Sequence, residues 1–103
     1  MAYAQKIVMT KSGSNWNDVD EALQEIQSDV NDADYVTYLA DNTQFHESHE
    51  FNVETQTFAV TRTFADESDF NTFVAHVSSN FNIPSKTAME SKGWTVSTTF
   101  HTV

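Results

Sequence analysis

Residues 58–81, FAVTRTFADESDFNTFVAHVSSNF, change from one hydrophobic period to another within a single stretch. Up to Phe64, large apolar side chains alternate with small or polar ones, which is typical of a half-buried strand. Asp66 then has the side chain of a helix N-cap. Beyond it, apolar residues recur at the spacing of an amphipathic helix: Phe70, Phe73, Val74, Val77 and Phe81. The stretch therefore predicts a strand that leads directly into a helix with one buried side.

The N-terminal part of the chain repeats this order. Residues 3–10 alternate and predict a first strand. A helix is expected to begin near Asn17 and to run to about residue 30, because the acidic residues Asp18, Asp20 and Glu21 favour its first turn. Its apolar stripe consists of Val19, Ala22, Leu23, Ile26 and Val30. Two strand–helix units of this kind predict a layered α+β protein.

The other segments complete a β-α-β-β-α-β order. Residues 45–53 and 57–64 read as a hairpin, and residues 94–103 as the last strand. We therefore expect a ferredoxin-like α+β fold, a four-stranded antiparallel sheet with two helices on one face, in a single domain of residues 1–103. Residues 32–42 fit either a helical extension or a short strand. The polar segment 80–93 is expected to hold a short helical turn near residues 87–91.

The charge of the chain excludes some functions. Fifteen Asp and Glu residues oppose five Lys and Arg, which gives a net charge of −10. Direct binding to DNA or RNA needs clustered cations and is therefore not expected. The acidity suits a solvated surface, adaptation to high salt, or attraction of a basic protein partner by imitation of nucleic acid.

Several site types lack the residues that they need. The chain has no cysteine and only two glycines, so a disulfide, a thiolate site and a glycine-rich phosphate loop are excluded, and no cofactor is predicted. The first ten residues lack the layout of a signal peptide, and no apolar run is long enough to span a bilayer. We therefore expect a cytoplasmic protein without membrane contact.

The two faces of the predicted sheet differ in chemistry. On residues 57–64 and 94–103 the aromatic and aliphatic side chains share one face, and Thr, Ser and His share the other. The aromatic face is expected to pack on the helices, because it carries the apolar area that matches their stripes. The Thr-rich face is then free to meet a second copy, which predicts a homodimer.

The chain resembles the ferredoxin-like dimeric α+β barrels, of which the antibiotic-biosynthesis monooxygenases are one branch. The resemblance lies in the element order, the length and the acidic start of the second helix in residues 62–70, RTFADESDF. The resemblance implies a dimer with a pocket between helices and sheet. Haem-degrading members pair a His on the second helix with an Asn on the first strand and a Trp near the third. His76 lies on the second predicted helix here, but residues 3–10 contain no Asn and residues 58–64 no Trp.

Five residues are candidates for a site. Arg62 lies among phenylalanines on the apolar face, where a guanidinium needs a carboxylate partner or a bound anion. His76 lies at the flank of the second helical stripe, and both are candidate ligand-binding residues. The candidate metal ligands are three histidines: His46 and His49 in the segment His46-Glu47-Ser48-His49-Glu50, and His101 on the last strand. The histidines have ordinary alternatives: His76 as a boundary residue of its helix, and the candidate metal ligands as exposed polar residues. For Arg62 the ordinary alternative is a structural pair with a carboxylate.

No motif for catalysis is present, so the sequence favours a non-enzymatic interaction or assembly module, typical of a small virus-encoded or accessory protein. The first alternative is a dimeric-barrel protein that binds a small molecule or acts as a monooxygenase-like enzyme, with its pocket near Arg62 and His76. The second is an acidic inhibitor that mimics nucleic acid. A cavity lined by Arg62 or His76 would favour the first alternative.

Overall fold

The alternating segments form one antiparallel sheet in the computed structural model, which describes residues 1–102. The strands are β1 (Tyr3–Lys11), β2 (Phe45–Asn52), β3 (Thr57–Phe64) and β4 (Trp94–Thr102). The helices are α1 (Val19–Val30), α2 (Ala33–Asp41), α3 (Glu67–Asn80) and α4 (Lys86–Ser91). The strands lie in the order β2-β3-β1-β4, and each neighbouring pair is antiparallel. The predicted α+β class and antiparallel sheet are confirmed.

Aspartate caps set where three of the helices begin. The side chains of Asp18, Asp32 and Asp66 accept hydrogen bonds from backbone N–H groups three residues later, at 2.9, 3.0 and 2.8 Å. Each bond satisfies an N–H that the helix itself leaves unpaired. The cap at Asp32 follows Asn31, which ends α1 in the left-handed conformation with φ of 54°. Together they turn the ambiguous segment 32–42 into a separate helix, α2.

Strand register places the large apolar side chains on one face of the sheet. Tyr3 on β1 pairs with Phe64 on β3, which pairs with Phe45 on β2. Counted from these three positions, every second residue along each strand has its side chain on the same face. Side chains from all four helices join the core clusters on this face, which we call the covered face. The opposite, open face carries Thr, Ser, Ala and His residues, so the predicted division between the two faces is confirmed.

The helical layer has four helices, whereas the predicted fold has two. The short helical turn expected near residues 87–91 is confirmed as α4, the ambiguous segment 32–42 forms α2, and Tyr35 of α2 and Met89 of α4 are buried in the core. Val74, predicted within the α3 stripe, is 39% exposed. It lies at the edge of the stripe, where Phe73 and Val77 already fill the contact with the sheet. Among residues 1–102 no helix has the length and apolar character needed to cross a membrane. The last predicted strand residue, Val103, lies outside the described residues.

Two tryptophans and a lysine tie α1 to the sheet at one end. Trp16 and Trp94 stack with ring centroids 5.6 Å apart. The Trp16 indole donates to Glu25 Oε1 at 2.7 Å, and the Trp94 indole donates to Asp29 Oδ2 at 2.7 Å. Lys11 Nζ donates to both carboxylates, with 2.8 Å to Asp29. We call these five residues the tryptophan clamp, and it joins β1, α1 and β4.

The hydrogen bonds of the clamp shift the pKa of its charged groups. Hydrogen bonds from Lys11 and from an indole lower the pKa of both Glu25 and Asp29, and the same carboxylates raise the pKa of Lys11. A carboxyl whose pKa is lower in the folded chain stabilises it fully above the unfolded pKa. That contribution is lost as pH falls through the folded pKa.

We expect the Asp29→Asn variant to lower the free energy of unfolding by about 1.5 kcal/mol at neutral pH, because an amide cannot accept charge-assisted hydrogen bonds from both Lys11 and Trp94. Urea denaturation followed by far-ultraviolet circular dichroism measures the change. The difference from the parent protein should shrink in acid, as Asp29 itself becomes protonated. Glu90→Gln, on the exposed side of α4, is the control, and an equal loss in both variants would contradict the role of the clamp.

Candidate functional site

A cavity of about 460 Å³ lies between the covered face and helices α1, α2 and α4. Its volume is in the range of small-molecule sites and far exceeds the small voids of a packed interior. Its walls are mainly apolar. They include Leu23, Ile26, Val30, Leu39, Val60 and Val96. Several lining residues, including Gln27, Ala40, Lys86 and Thr98, are exposed, so the cavity reaches the surface.

Arg62 supplies a positive charge to the wall of this cavity. It stands on the covered face of β3, directly opposite Glu47 of β2 in the strand register. Arg62 Nε donates to Glu47 Oε1 at 3.0 Å, and the Arg62 side chain is only 12% exposed. The guanidinium carbon also lies 5.9 Å from the ring centroids of Phe45 and Phe73. The carboxylate and the two rings offset the cost of placing a guanidinium among apolar side chains.

Glu47 connects Arg62 to a histidine on the same strand. Its second oxygen, Oε2, lies 3.2 Å from His49 Nε2. The His49 ring stacks on Phe58 with centroids 5.6 Å apart. Because Glu47 and His49 are two residues apart in a strand, both side chains lie on the covered face. Arg62, Glu47 and His49 therefore form a row of polar groups along an otherwise apolar wall, which we call the polar row.

Tyr35 brings a phenol to the same cavity from α2. It is buried, and burial raises the pKa of the phenol, while the positive charge of Arg62 and a side-chain hydrogen bond with Arg62 act in the opposite direction. The Tyr35 ring packs 5.5 Å from Phe81. The phenol is therefore neutral around neutral pH and adds an uncharged polar group beside Arg62.

Gln5 places a side-chain amide near Arg62, outside the cavity lining. It lies between Arg62 and Phe100 in the register of β3, β1 and β4. Its Oε1 atom is buried and has no hydrogen-bond partner within residues 1–102. The sequence analysis did not identify Gln5 as a candidate, because only the strand register shows that its unpaired acceptor lies beside the cation Arg62.

Of the two candidate ligand-binding residues, the structure brings only Arg62 to the cavity. His76 is an exposed residue of α3 whose ring packs 4.9 Å from Tyr38 and 6.1 Å from Phe81. Asn80 Nδ2 lies 3.3 Å from His76 Nδ1. His76 therefore covers the outer side of the aromatic cluster, since a position at the flank of a helical stripe faces away from the sheet.

The candidate metal ligands are not brought together. His49 lies on the covered face, whereas His46 and His101 lie on the open face. The latter two share one row of the sheet but occupy opposite edge strands, three strand spacings or about 14 Å apart. Within the described chain, no group of three potential ligands among His, Asp and Glu is arranged to hold a metal ion. These histidines instead form separate polar positions on three parts of the sheet.

The cavity and its polar row can accept a small molecule that is mostly apolar. Apolar walls would bury its body, and the guanidinium, imidazole and phenol would orient a polar group. Comparison with known proteins found no matching family model, no similar curated protein and no similar solved structure.

We expect the Glu47→Gln variant to lower the free energy of unfolding by about 2 kcal/mol, because it leaves the mostly buried guanidinium of Arg62 without its counter-ion. Urea denaturation measures this loss, and the double variant Glu47→Gln/Arg62→Gln should recover part of it. Glu50→Gln is the matched control on the same strand. Glu50 lies on the open face, 71% exposed and 3.6 Å from Lys6, so its loss should cost less than about 0.5 kcal/mol. Equal losses in the two single variants would refute a buried role for the Arg62–Glu47 pair.

Proposed function

We propose that this protein binds a small, mainly apolar molecule in the cavity between the sheet and helices α1, α2 and α4. The observation that carries the proposal is the polar row, which stands on the wall of an otherwise apolar cavity of about 460 Å³. Packed interiors are filled by their own side chains, and a cavity of this size leaves Leu23, Ile26 and Val96 only partly buried. A bound molecule would complete their burial.

A cavity lined by Arg62 was expected to favour a small-molecule-binding protein over an assembly module. Binding is proposed without catalysis, because the polar row contains no nucleophile placed beside a base. Assembly through a surface is a separate property, and it does not compete with the use of the cavity.

We expect the neutral dye phenylnaphthylamine to bind with a saturable increase in fluorescence. The Val96→Phe variant should weaken binding by about tenfold or more, because the larger ring fills the cavity from β4. Val74→Phe is the matched control, since Val74 is exposed on α3 and does not line the cavity. Circular dichroism establishes that both variants are folded. Failure of the folded parent protein to bind the dye, or equal binding by both variants, would overturn the proposal.

We further propose that the architecture is ferredoxin-like and that two copies pair through their open faces, as in the dimeric α+β barrels. The sheet order taken from the other edge is β4-β1-β3-β2, which supports this arrangement because β1 and β3 are central and the crossovers lie on the covered face. No helix within residues 1–102 contributes to a core cluster on the open face. The open face therefore offers a second copy a sheet surface of small and polar side chains.

Sedimentation velocity tests the dimer. We expect the parent protein to sediment as a dimer and Thr61→Glu to sediment as a monomer, because Thr61 is central on the open face and the substitution adds like charges across a two-fold axis. Thr72→Glu, on exposed α3, adds the same charge away from that face and should remain dimeric. A monomeric parent protein would refute pairing through the open face.

A further inference from the structure

We infer that the molecule bound in the cavity is an amphipathic anion, a carboxylate with an apolar chain or ring, whose carboxylate is held by Arg62. This inference rests on the proposed function and adds the chemical class of the ligand. It is drawn from the hydrogen-bonding capacity of Arg62, from the placement of the cations, and from the apolar character of the remaining wall.

The terminal nitrogens of Arg62 are the first observation. A guanidinium carries five N–H donors, and Nε uses its own on Glu47. The Tyr35 phenol is a second hydrogen-bond partner of the guanidinium. Two partners leave part of its five donors for a ligand, and the side chain is 12% exposed and lines the cavity. Donors in a site of low water content stabilise an acceptor more than they do at a surface, and a guanidinium fits a carboxylate with two parallel hydrogen bonds.

The distribution of charge is the second observation. The chain has only five Lys and Arg residues against fifteen Asp and Glu. Lys6 pairs with Glu50, Lys11 pairs with Glu25 and Asp29, and Lys92 donates to the Asp29 carbonyl oxygen. Arg62 pairs with Glu47, and Lys86 is the fifth cation; both Arg62 and Lys86 line the cavity.

The lining of the cavity therefore has the opposite charge balance to the whole chain. Arg62 and Lys86 face a single carboxylate there, that of Glu47. In a protein of net charge −10, such a local excess of positive charge lowers the energy of a buried anion, whereas the acidic surface repels anions that lack apolar area to bury. Charge complementarity and burial together select an anion with an apolar body.

Lys86 adds to this selection at the entrance. It is exposed at the start of α4, and its ion partner is not found among the described residues. Since an exposed ammonium is strongly screened by water and salt, its contribution is smaller than that of Arg62. We therefore assign the carboxylate to Arg62, and we assign to Lys86 the role of attracting the anion.

Displacement of phenylnaphthylamine by decanoate, decanol and decylamine tests the inference at neutral pH. We expect decanoate to bind the parent protein about tenfold more tightly than decanol, in line with charge-assisted hydrogen bonds to one guanidinium. The double variant Arg62→Gln/Glu47→Gln removes both charges of the pair and leaves the formal charge of the cavity unchanged. It should reduce decanoate affinity to that of decanol while dye and decanol still bind, which identifies the guanidinium rather than net charge as the receptor.

Two further variants complete the design. Lys86→Gln should weaken decanoate about threefold at low salt and less at high salt, whereas Lys6→Gln, on the open face, should leave it unchanged. Equal affinity for decanoate and decanol, or tighter binding of decylamine through Glu47, would overturn the inference and leave the proposed cavity site standing. Absence of dye binding by the folded parent protein would instead refute the cavity site itself.

Discussion

The constraint on which the rest of this structure depends is the alternation of side chains across four strands in register. Because every paired row repeats the same alternation, large apolar groups gather on one face, from Tyr3 and Phe64 at one end of the sheet to Met9 and Phe58 towards the other. Only that face requires cover, so every helix that contributes to the core packs there. Any polar residue at a covered position is therefore carried beneath the helices, and Arg62, Glu47 and Gln5 share one such row.

The two ends of the covered face are held differently. At one end the tryptophan clamp fixes α1 with indole and lysine hydrogen bonds to carboxylates. At the other, rings from α2, α3 and the strands fill the space, with Phe64 and Phe73 packed 5.4 Å apart. Between them the helices carry Leu23, Ile26 and Leu39, which are too small to reach across the gap. The cavity occupies this middle region, and the polar row borders it.

Sequence patterns predicted most of the fold because strands and amphipathic helices have different periods. The Asp66 cap and the strand at residues 57–64 were predicted closely. The segment 32–42 was left open because its apolar residues fit either a helix or a short strand, and the left-handed Asn31 and the Asp32 cap together make it a separate helix. Arg62 was predicted to need a partner because a charge in an apolar alternation is costly. A pocket near Arg62 was one predicted alternative, but the identity of the carboxylate partner and the other lining residues were not predictable, since they depend on which strand lies beside β3 and on the spacing of helices. His76 was predicted as a ligand-binding candidate but lies away from the cavity, because a helical position near an apolar stripe does not define which side of the helical layer the ring occupies.

The pairing of β1 with β4 affects the order in which the sheet can form during synthesis. β1 is a central strand of residues 3–11, and one of its two neighbours is made from residues 94–102, which are synthesised much later. During synthesis the β1–β3 pairing and the first three helices can form earlier, but the free edge of β1 stays open until the last strand emerges. Contacts between such distant segments close slowly, and an unpaired edge invites pairing with other chains. A nascent chain stalled before residue 94 would therefore expose a central strand, and emergence of residues 94–102 is the step that completes the sheet.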